Sequence, residues 1–266
     1  MNSFRDKVVV VTGSGNGIGF ALAKQFGLDG AKVVISDIAR EEMQAAASAL
    51  SAMGIEYTSV ACDVTSRAEV EALADTARRA YGRVDVLVNN AGVSQKPAPL
   101  IGMDLDDFKR VYDVNVYGVL NGIQVFGQMF LDQGSPAAIY NLGSENSIYP
   151  CVPSSHAYVS SKHAVLAVTE LLAEEVPDFI QVALIMPGLV QTNMCPDFFE
   201  GMDVSQFAEL VIKQLKAGAF YVVSHSYNKV RLDERYAKIA SAYDLYAPRC
   251  EGDDKYDIRS LIERMT

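Results

Sequence analysis

The chain has 266 residues, half of them apolar and 21% charged, which is enough to bury a large core and too apolar for general disorder. Its 33 acidic against 23 basic side chains leave a formal charge of −10, which repels phosphate backbones and excludes nucleic acid as an expected partner. No apolar run approaches the roughly 20 residues that span a bilayer, so no membrane is expected either.

In chain order, residues 7–12 are an apolar, β-branched run that predicts a strand, and 17–28 carry apolar side chains at helical spacing. Strand 31–37, helix 41–53, strand 56–61, helix 67–80 and strand 84–88 continue the alternation. A long helical pattern covers 104–133 and is interrupted by Gly118, Gly122 and Gly127. Strand 137–142, helix 155–175 and strand 180–186 follow. Residues 191–203 read as a loop rich in Met, Cys and Phe, 204–216 as a helix and 219–223 as a last short strand. The tail 229–266 reads as helical and charged, with a break near Pro248. The strands are continuous apolar runs, as expected when both faces are covered, and their alternation with helices predicts right-handed crossovers. The expected fold class is α/β: a single-domain, Rossmann-like, doubly wound, mainly parallel seven-stranded sheet with helices on both faces, spanning 1–266.

Between the first strand and the first helix lies Gly13-Ser14-Gly15-Asn16-Gly17-Ile18-Gly19. Glycine lets a backbone turn sharply and approach a ligand, and a helix start offers unpaired N–H groups that suit a pyrophosphate. The spacing that fits is GxxxGxG on Gly13, Gly17 and Gly19, because GxGxxG would need glycine at Ile18. Asp37 ends the second strand. A carboxylate there accepts hydrogen bonds from ribose hydroxyls and repels a 2′-phosphate, which points to NAD rather than NADP. Its plain alternative is a helix cap. Cys62, Cys151, Cys195 and Cys250 are far apart and form no CxxC pair, which argues for a reducing cytoplasm and against a zinc site or disulfide framework. The opening residues run straight into the first strand without a leader pattern, in keeping with a cytoplasmic place.

Tyr158 and Lys162 are four apart on a predicted helix, so both side chains share one face. An ammonium near a phenol favours the phenolate and lowers its pKa, giving a general base for an alcohol hydroxyl. Ser144, after the fifth strand, can hold the substrate oxygen, and Asn115 can fix a water beside Lys162. The plain readings are a surface cation–π contact for the Tyr/Lys pair and a kink cap for Asn115. Ser147 is a minor rival for the serine role. Glu145 and Asn146 are more polar than is usual beside such a serine, and touch either substrate or loop. His156 reads as loop structure, and no metal constellation is found at His163 or His225.

These motifs occur in one order: Thr12-Gly13-x-x-x-Gly17-x-Gly19, Asp63-Val64, Asn89-Asn90-Ala91-Gly92, Asn115, Ser144, Tyr158-x-x-x-Lys162, and Pro187-Gly188 with Thr192. From Lys7 to about Val223 the chain resembles the short-chain dehydrogenases/reductases. The resemblance implies a catalytic group of Asn115, Ser144, Tyr158 and Lys162. It implies NAD contacts from Gly13, Ser14, Asn16, Gly17, Ile18, Gly19 and Asp37. Further contacts are implied for Asp63, Val64, Asn90, Ala91, Gly92, Tyr158, Lys162, Pro187, Gly188, Val190 and Thr192. It implies a substrate lid at about 189–217 and a homodimer or homotetramer that packs the helices beginning at 104 and 155. Ala157, Ala164, Ala167 and Leu171 are candidates for that face or for the sheet. The Met and Phe side chains of 194–202, with Tyr149, Cys151 and Val152, either pack on the lid's own helices or line an apolar pocket for a secondary alcohol or ketone, with hydroxysteroids, aryl carbinols and cyclic alcohols all open. An NAD-using isomerase or lyase and a non-catalytic NAD-binding module are the rival functions.

Overall fold

A computed structural model describes residues 2–192 and 200–263. The chain divides into two compact units, Met1–Ser226 and Tyr227–Thr266.

The first unit alternates strand and helix as the apolar runs require. It holds β1 (Val8–Thr12), α1 (Gly17–Leu28), β2 (Lys32–Asp37), α2 (Arg40–Ala52), β3 (Tyr57–Ala61), α3 (Arg67–Tyr81) and β4 (Val86–Asn89). Then come α4 (Leu105–Tyr112), α5 (Gly118–Gln133), β5 (Ala137–Leu142), α6 (His156–Glu175), β6 (Ile180–Met186), α7 (Val204–Lys216) and β7 (Tyr221–Val223). The seven strands form one sheet in the order β3-β2-β1-β4-β5-β6-β7, and every pairing is parallel.

Both faces of the sheet are covered, which is why its strands lack polar alternation. Val9 and Val11 of β1 pack with Leu22, Phe26, Leu50, Phe207 and Leu215 of α1, α2 and α7. Val8 and Val10 pack on the other face with Leu73, Phe126 and Phe130 of α3 and α5. Each fully buried Leu or Phe contributes about 1.5–3 kcal/mol relative to exposure. β1 pairs with β2 on one side and β4 on the other, so the strand order reverses there. The carboxyl ends of β1 and β4 therefore flank a crevice of the kind in which open α/β sheets bind ligands.

The expected interruption of the helix 104–133 lies upstream of its glycines. Residues Asp113–Tyr117 form a wide π-helical turn closed by Gly118 N–H on the Asp113 carbonyl, with Asn115 buried inside it. Gly118, Gly122 and Gly127 lie within α5. The C-terminal part of the segment expected as a lid is α7, which buries Phe207, Ala208, Val211, Ile212 and Leu215.

The second unit comprises α8 (Asn228–Tyr246), a 3-10 turn (Asp253–Tyr256) and α9 (Ile258–Glu263). α8 stops at the residue before Ala247-Pro248, because a proline disfavours helical backbone in the residue preceding it. Among the described residues no helix is long and apolar enough to cross a membrane.

Candidate active site

The glycine loop is held to β4 by side chains from both sides. Asn90 Nδ2 donates to the carbonyls of Thr12 and Gly13, each at 2.8 Å. Thr12 Oγ1 in turn accepts from the N–H groups of Asn90 at 3.0 Å and Ala91 at 3.1 Å. Gly13 has φ +60°, and a Cβ there would stand 2.7 Å from Ala91 Cα. A Cβ on Gly19 would stand 2.1 Å from the Gly13 carbonyl oxygen, so this turn admits no side chain at either position. Ser14 faces away from the crevice: its hydroxyl donates to Val11 O at 2.7 Å and accepts from Ser36 N at 2.8 Å.

Asp37 lies beside this loop at the end of β2. Its Oδ2 accepts from Gly15 N at 3.0 Å and its Oδ1 from Ala39 N at 3.1 Å, so each oxygen keeps a lone pair for a ligand. The capping role and a ribose-reading role are therefore compatible. Glu42 on α2 accepts from Asn16 Nδ2, adding a second carboxylate beside the loop. Asp63 Oδ1 accepts from Thr65 N and Oγ1 at 2.9 and 2.8 Å, while the Val64 carbonyl accepts from Asn121 Nδ2 at 2.9 Å.

One cleft of about 1100 Å³ runs from these residues across the sheet edge. It is lined by Gly13, Asn16, Gly17, Ile18, Gly19, Asp37, Asp63, Val64, Asn90, Ala91 and Gly92 together with Ser144, Tyr158, Lys162, Pro187, Gly188, Val190 and Thr192. Of the predicted residues, Ser14 and Asn115 do not reach its wall. Asn115 is fully buried: its amide accepts from Val93 N at 2.8 Å and donates to Val93 O at 2.9 Å and Ser161 Oγ at 3.0 Å. Ser161 Oγ donates to the Tyr158 carbonyl at 2.8 Å, so Asn115 braces the turn of α6 that carries Tyr158.

Lys162 is buried, with Nζ donating to the Leu142 carbonyl at 2.7 Å and lying 5.6 Å from the centre of the Tyr158 ring. Burial draws its pKa from 10.5 down to about 8. Burial pushes the Tyr158 phenol upward; a hydrogen bond with Ser144 pulls it down, and Cys151 and Glu145 push it up. This corrects the expectation of a phenol lowered by the ammonium. Desolvation outweighs it, and the ammonium is engaged by the carbonyl of Leu142.

Ser147 Oγ accepts from Ser144 N at 3.1 Å and is fully buried, so it closes the turn rather than rivalling Ser144. His156 stacks on Phe108, 5.9 Å between ring centres, and does not line the cleft. Val152 lines the cleft; the Tyr149 hydroxyl turns to Glu145 at 3.4 Å, and the Cys151 thiol lies nearer to Asn146 Oδ1, at 3.0 Å, than to Glu145 Oε1, at 3.3 Å. Met194, Cys195, Phe198 and Phe199 lie outside the described residues. Ala157 is buried in the core, whereas Leu171 is exposed. Among the described residues, no group of three His, Cys, Asp or Glu could hold a metal ion.

Two supports had no local signal in the sequence. Buried Gln95 accepts from Tyr158 N at 3.0 Å and donates to Ser154 O at 3.0 Å, capping a helix whose own Ser155 supplies no side-chain cap. His225, after β7, hydrogen-bonds the Leu189 carbonyl at 3.0 Å and so backs the Pro187-Gly188 turn.

The sequence profile of short chain dehydrogenases matches residues 7–203. The chain is 33% identical over 237 residues to 1-deoxy-11-beta-hydroxypentalenate dehydrogenase of Streptomyces avermitilis, across 85% of this chain and 87% of that one. It is 34% identical over 220 residues to 3beta-hydroxysteroid dehydrogenase 1 of Eggerthella lenta, across 82% and 84% of the two chains. A solved short chain dehydrogenase/reductase from Burkholderia phymatum in complex with NAD superposes with a TM-score of 0.85 at 29% identity, across 91% of this chain and 96% of that one.

Proposed function

The chain belongs to the short chain dehydrogenase family, a family of oxidoreductases, and on that premise we propose that it interconverts a secondary alcohol and a ketone with NAD. The observation that carries this reading is one cleft shared by the glycine loop, Asp37, Ser144, Tyr158 and Lys162.

The residues fit a dinucleotide. The turn at Gly13 and Gly19 leaves no room for a Cβ, so backbone N–H groups can approach a pyrophosphate. Asp37 accepts from the adenosine ribose, while Asp37 and Glu42 together repel a 2′-phosphate. NAD, when bound, supplies the hydride acceptor for the carbinol carbon. Tyr158 takes the hydroxyl proton as phenolate and returns it in the reverse direction. Lys162, with its pKa at about 8, is mostly charged at neutral pH and favours the phenolate. Ser144 donates to the substrate oxygen and holds its developing charge. Asn115 keeps Tyr158 in place through Ser161.

The substrate is bulky and apolar or aromatic. Support comes from the relatives named as dehydrogenases of 1-deoxy-11-beta-hydroxypentalenate and of 3beta-hydroxysteroid. Val152 and Leu189 on the cleft wall fit such a molecule. Leu189, Val190 and Thr192 stand at the cleft's edge, and this stretch is tied to Met202 by Gln191 N–H on Met202 O at 2.9 Å and Met202 N–H on Leu189 O at 2.8 Å. The protein acts in the cytoplasm as a homodimer or homotetramer. Free thiols at Cys62, Cys151 and Cys250 fit that compartment, and exposed Leu105, Leu131 and Leu171 fit that assembly.

The test is to mix protein, NAD and a panel of hydroxysteroids, aryl carbinols and cyclic secondary alcohols and follow reduced nicotinamide absorbance. Turnover of the bulky alcohols is expected. Tight NAD binding without turnover of any alcohol would favour a non-catalytic module, and a preference for NADP would contradict the cofactor reading.

A further inference from the structure

Ser144 has one proton and two lone pairs to distribute. Its Oγ lies 3.1 Å from the backbone N of Asn146 and 3.3 Å from Asn146 Nδ2. The backbone N–H can only donate. The amide orientation of Asn146 is also fixed, because its Oδ1 lies 3.1 Å from Cys151 N, another group that can only donate. Oδ1 further accepts from the Cys151 thiol at 3.0 Å, and burial pushes that thiol up to about 12, which keeps it protonated. Nδ2 is therefore the end that faces Ser144, and it too donates. Both lone pairs of Ser144 are filled from one residue. Ser144 and Asn146 are each buried, and the Ser144 backbone is held by Ser147 Oγ.

We propose that Asn146 is a positioning residue that commits Ser144 to donating its proton to the substrate oxygen. This rests on the reading that Ser144 holds that oxygen. An unconstrained serine hydroxyl both donates and accepts. It could take a hydrogen bond from the substrate hydroxyl and hold its proton away from Tyr158. With its lone pairs occupied, Ser144 accepts nothing more. The substrate O–H is then turned from Ser144 to the Tyr158 phenolate, and the carbinol oxygen has a fixed donor. In oxidation the O–H proton passes to Tyr158, the C–H hydride passes to the cofactor, and the C=O that forms keeps the Ser144 hydrogen bond. The Ser144 hydroxyl also hydrogen-bonds the Tyr158 oxygen, in keeping with a contact that favours the phenolate.

The test compares Asn146→Asp with Asn146→Ala, each alone and with Ser144→Ala. Aspartate keeps the shape and the Cys151 contacts but cannot donate, so the Ser144 proton turns to it. Alanine leaves a space and removes one donor. The expected order of kcat on the best alcohol of the panel is wild type, then Asn146→Ala at about a tenfold loss, then Asn146→Asp at about a hundredfold loss. NAD affinity, measured without alcohol, stays within about twofold. In the Ser144→Ala background Asn146→Ala costs less than about twofold, and Asn146→Asp costs clearly less than its loss with Ser144 present, since only its charge then acts. A packing role reverses the order, since truncation then does more harm than an isosteric change.

A second readout needs no substrate: ultraviolet titration of the Tyr158 phenol, taken as the difference from Tyr158→Phe. Lys162, Glu145 and Cys151 surround this phenol in every variant and cancel. The added charge of Asn146→Asp raises the midpoint in both backgrounds; the rise is larger with Ser144 present, where the hydroxyl proton also turns away from the phenol. The proposal is overturned by a midpoint that rises equally in both backgrounds, by the reversed kcat order, or by Asn146→Asp activity within twofold of wild type. Failure of the wild type to oxidise any secondary alcohol would instead sink the proposed function, and the phenol titration would still decide the role of Asn146.

Discussion

Two glycines of α5, five residues apart, respond in opposite ways to alanine. At Gly122 an added Cβ would lie 2.1 Å from Asn89 Oδ1 and 2.9 Å from its Cγ; at Gly127 the nearest atom, Ile139 Cδ1, would be 3.9 Å away. Asn89 cannot give way cheaply. It is buried, and its Nδ2 donates to Asn141 Oδ1 at 2.8 Å. Asn141 Nδ2 donates to Thr169 Oγ1 at 3.0 Å, and Thr169 donates to Val165 O at 2.6 Å, so one buried polar chain joins β4, β5 and α6. Overpacking a core costs about 1–3 kcal/mol. Stranding the Asn141 oxygen costs about 1–3 kcal/mol more. The better helix propensity of alanine returns at most about 1 kcal/mol. Gly122→Ala is therefore expected to destabilise by about 2–4 kcal/mol, and Gly127→Ala to stabilise by about 0.5–1 kcal/mol. Urea unfolding followed by far-ultraviolet circular dichroism reads both as midpoint changes at constant slope. Adding Asn89→Ala to Gly122→Ala should recover part of the loss, because the clash has lost its partner. Equal destabilisation by the two alanines, or no effect at 122, would refute the reasoning.

Asp37→Ala should weaken NAD binding and bring NADP within reach, as titrations of both cofactors would show; an unchanged preference would remove Asp37 as the ribose reader. Gln95→Ala leaves Tyr158 N–H and Ser154 C=O without this partner. It should cost about 1–2 kcal/mol in urea unfolding and lower kcat more than it raises KM. Lys162 predicts a pH dependence of stability. Its pKa in the folded chain is about 8 against 10.5 for an ordinary lysine, so between those values the unfolded chain holds a proton that the folded chain lacks. Stability from this group therefore rises with pH, by about 2 kcal/mol between roughly pH 7.5 and 9.5. Lys162→Met should remove that rise. Parallel stability curves for the two proteins over this window would contradict the burial of a titrating amine.

Most of the fold could be read from the chain because its signals are local. The Val8–Val11 run, the glycine loop and the helical spacing of 17–28 need no distant partner to be recognised. The wide turn around Asn115 was not legible. It depends on Asn115 reaching Val93 and Ser161, residues 22 and 46 positions away. Gly122 was read as a helix breaker for the same reason: the side chain it accommodates belongs to β4. At the site, residue types announced Ser144, Tyr158 and Lys162, but not the state of their protons. That state depends on burial and on the carbonyl of Leu142, which appear only when β5 and α6 pack together. Gln95 and His225 stayed hidden because capping from another element leaves no spacing pattern in the capped helix.

The central claim is that the phenol at position 158 moves the proton. Tyr158→Phe removes one oxygen and leaves the glycine loop, Asp37 and Lys162 untouched. Parallel measurement of kcat on the best alcohol and of NAD affinity by binding titration tests the claim directly. The account predicts a fall in kcat of at least about 10²–10⁴, with NAD affinity within a few-fold of wild type. Turnover preserved in the phenylalanine variant would contradict it.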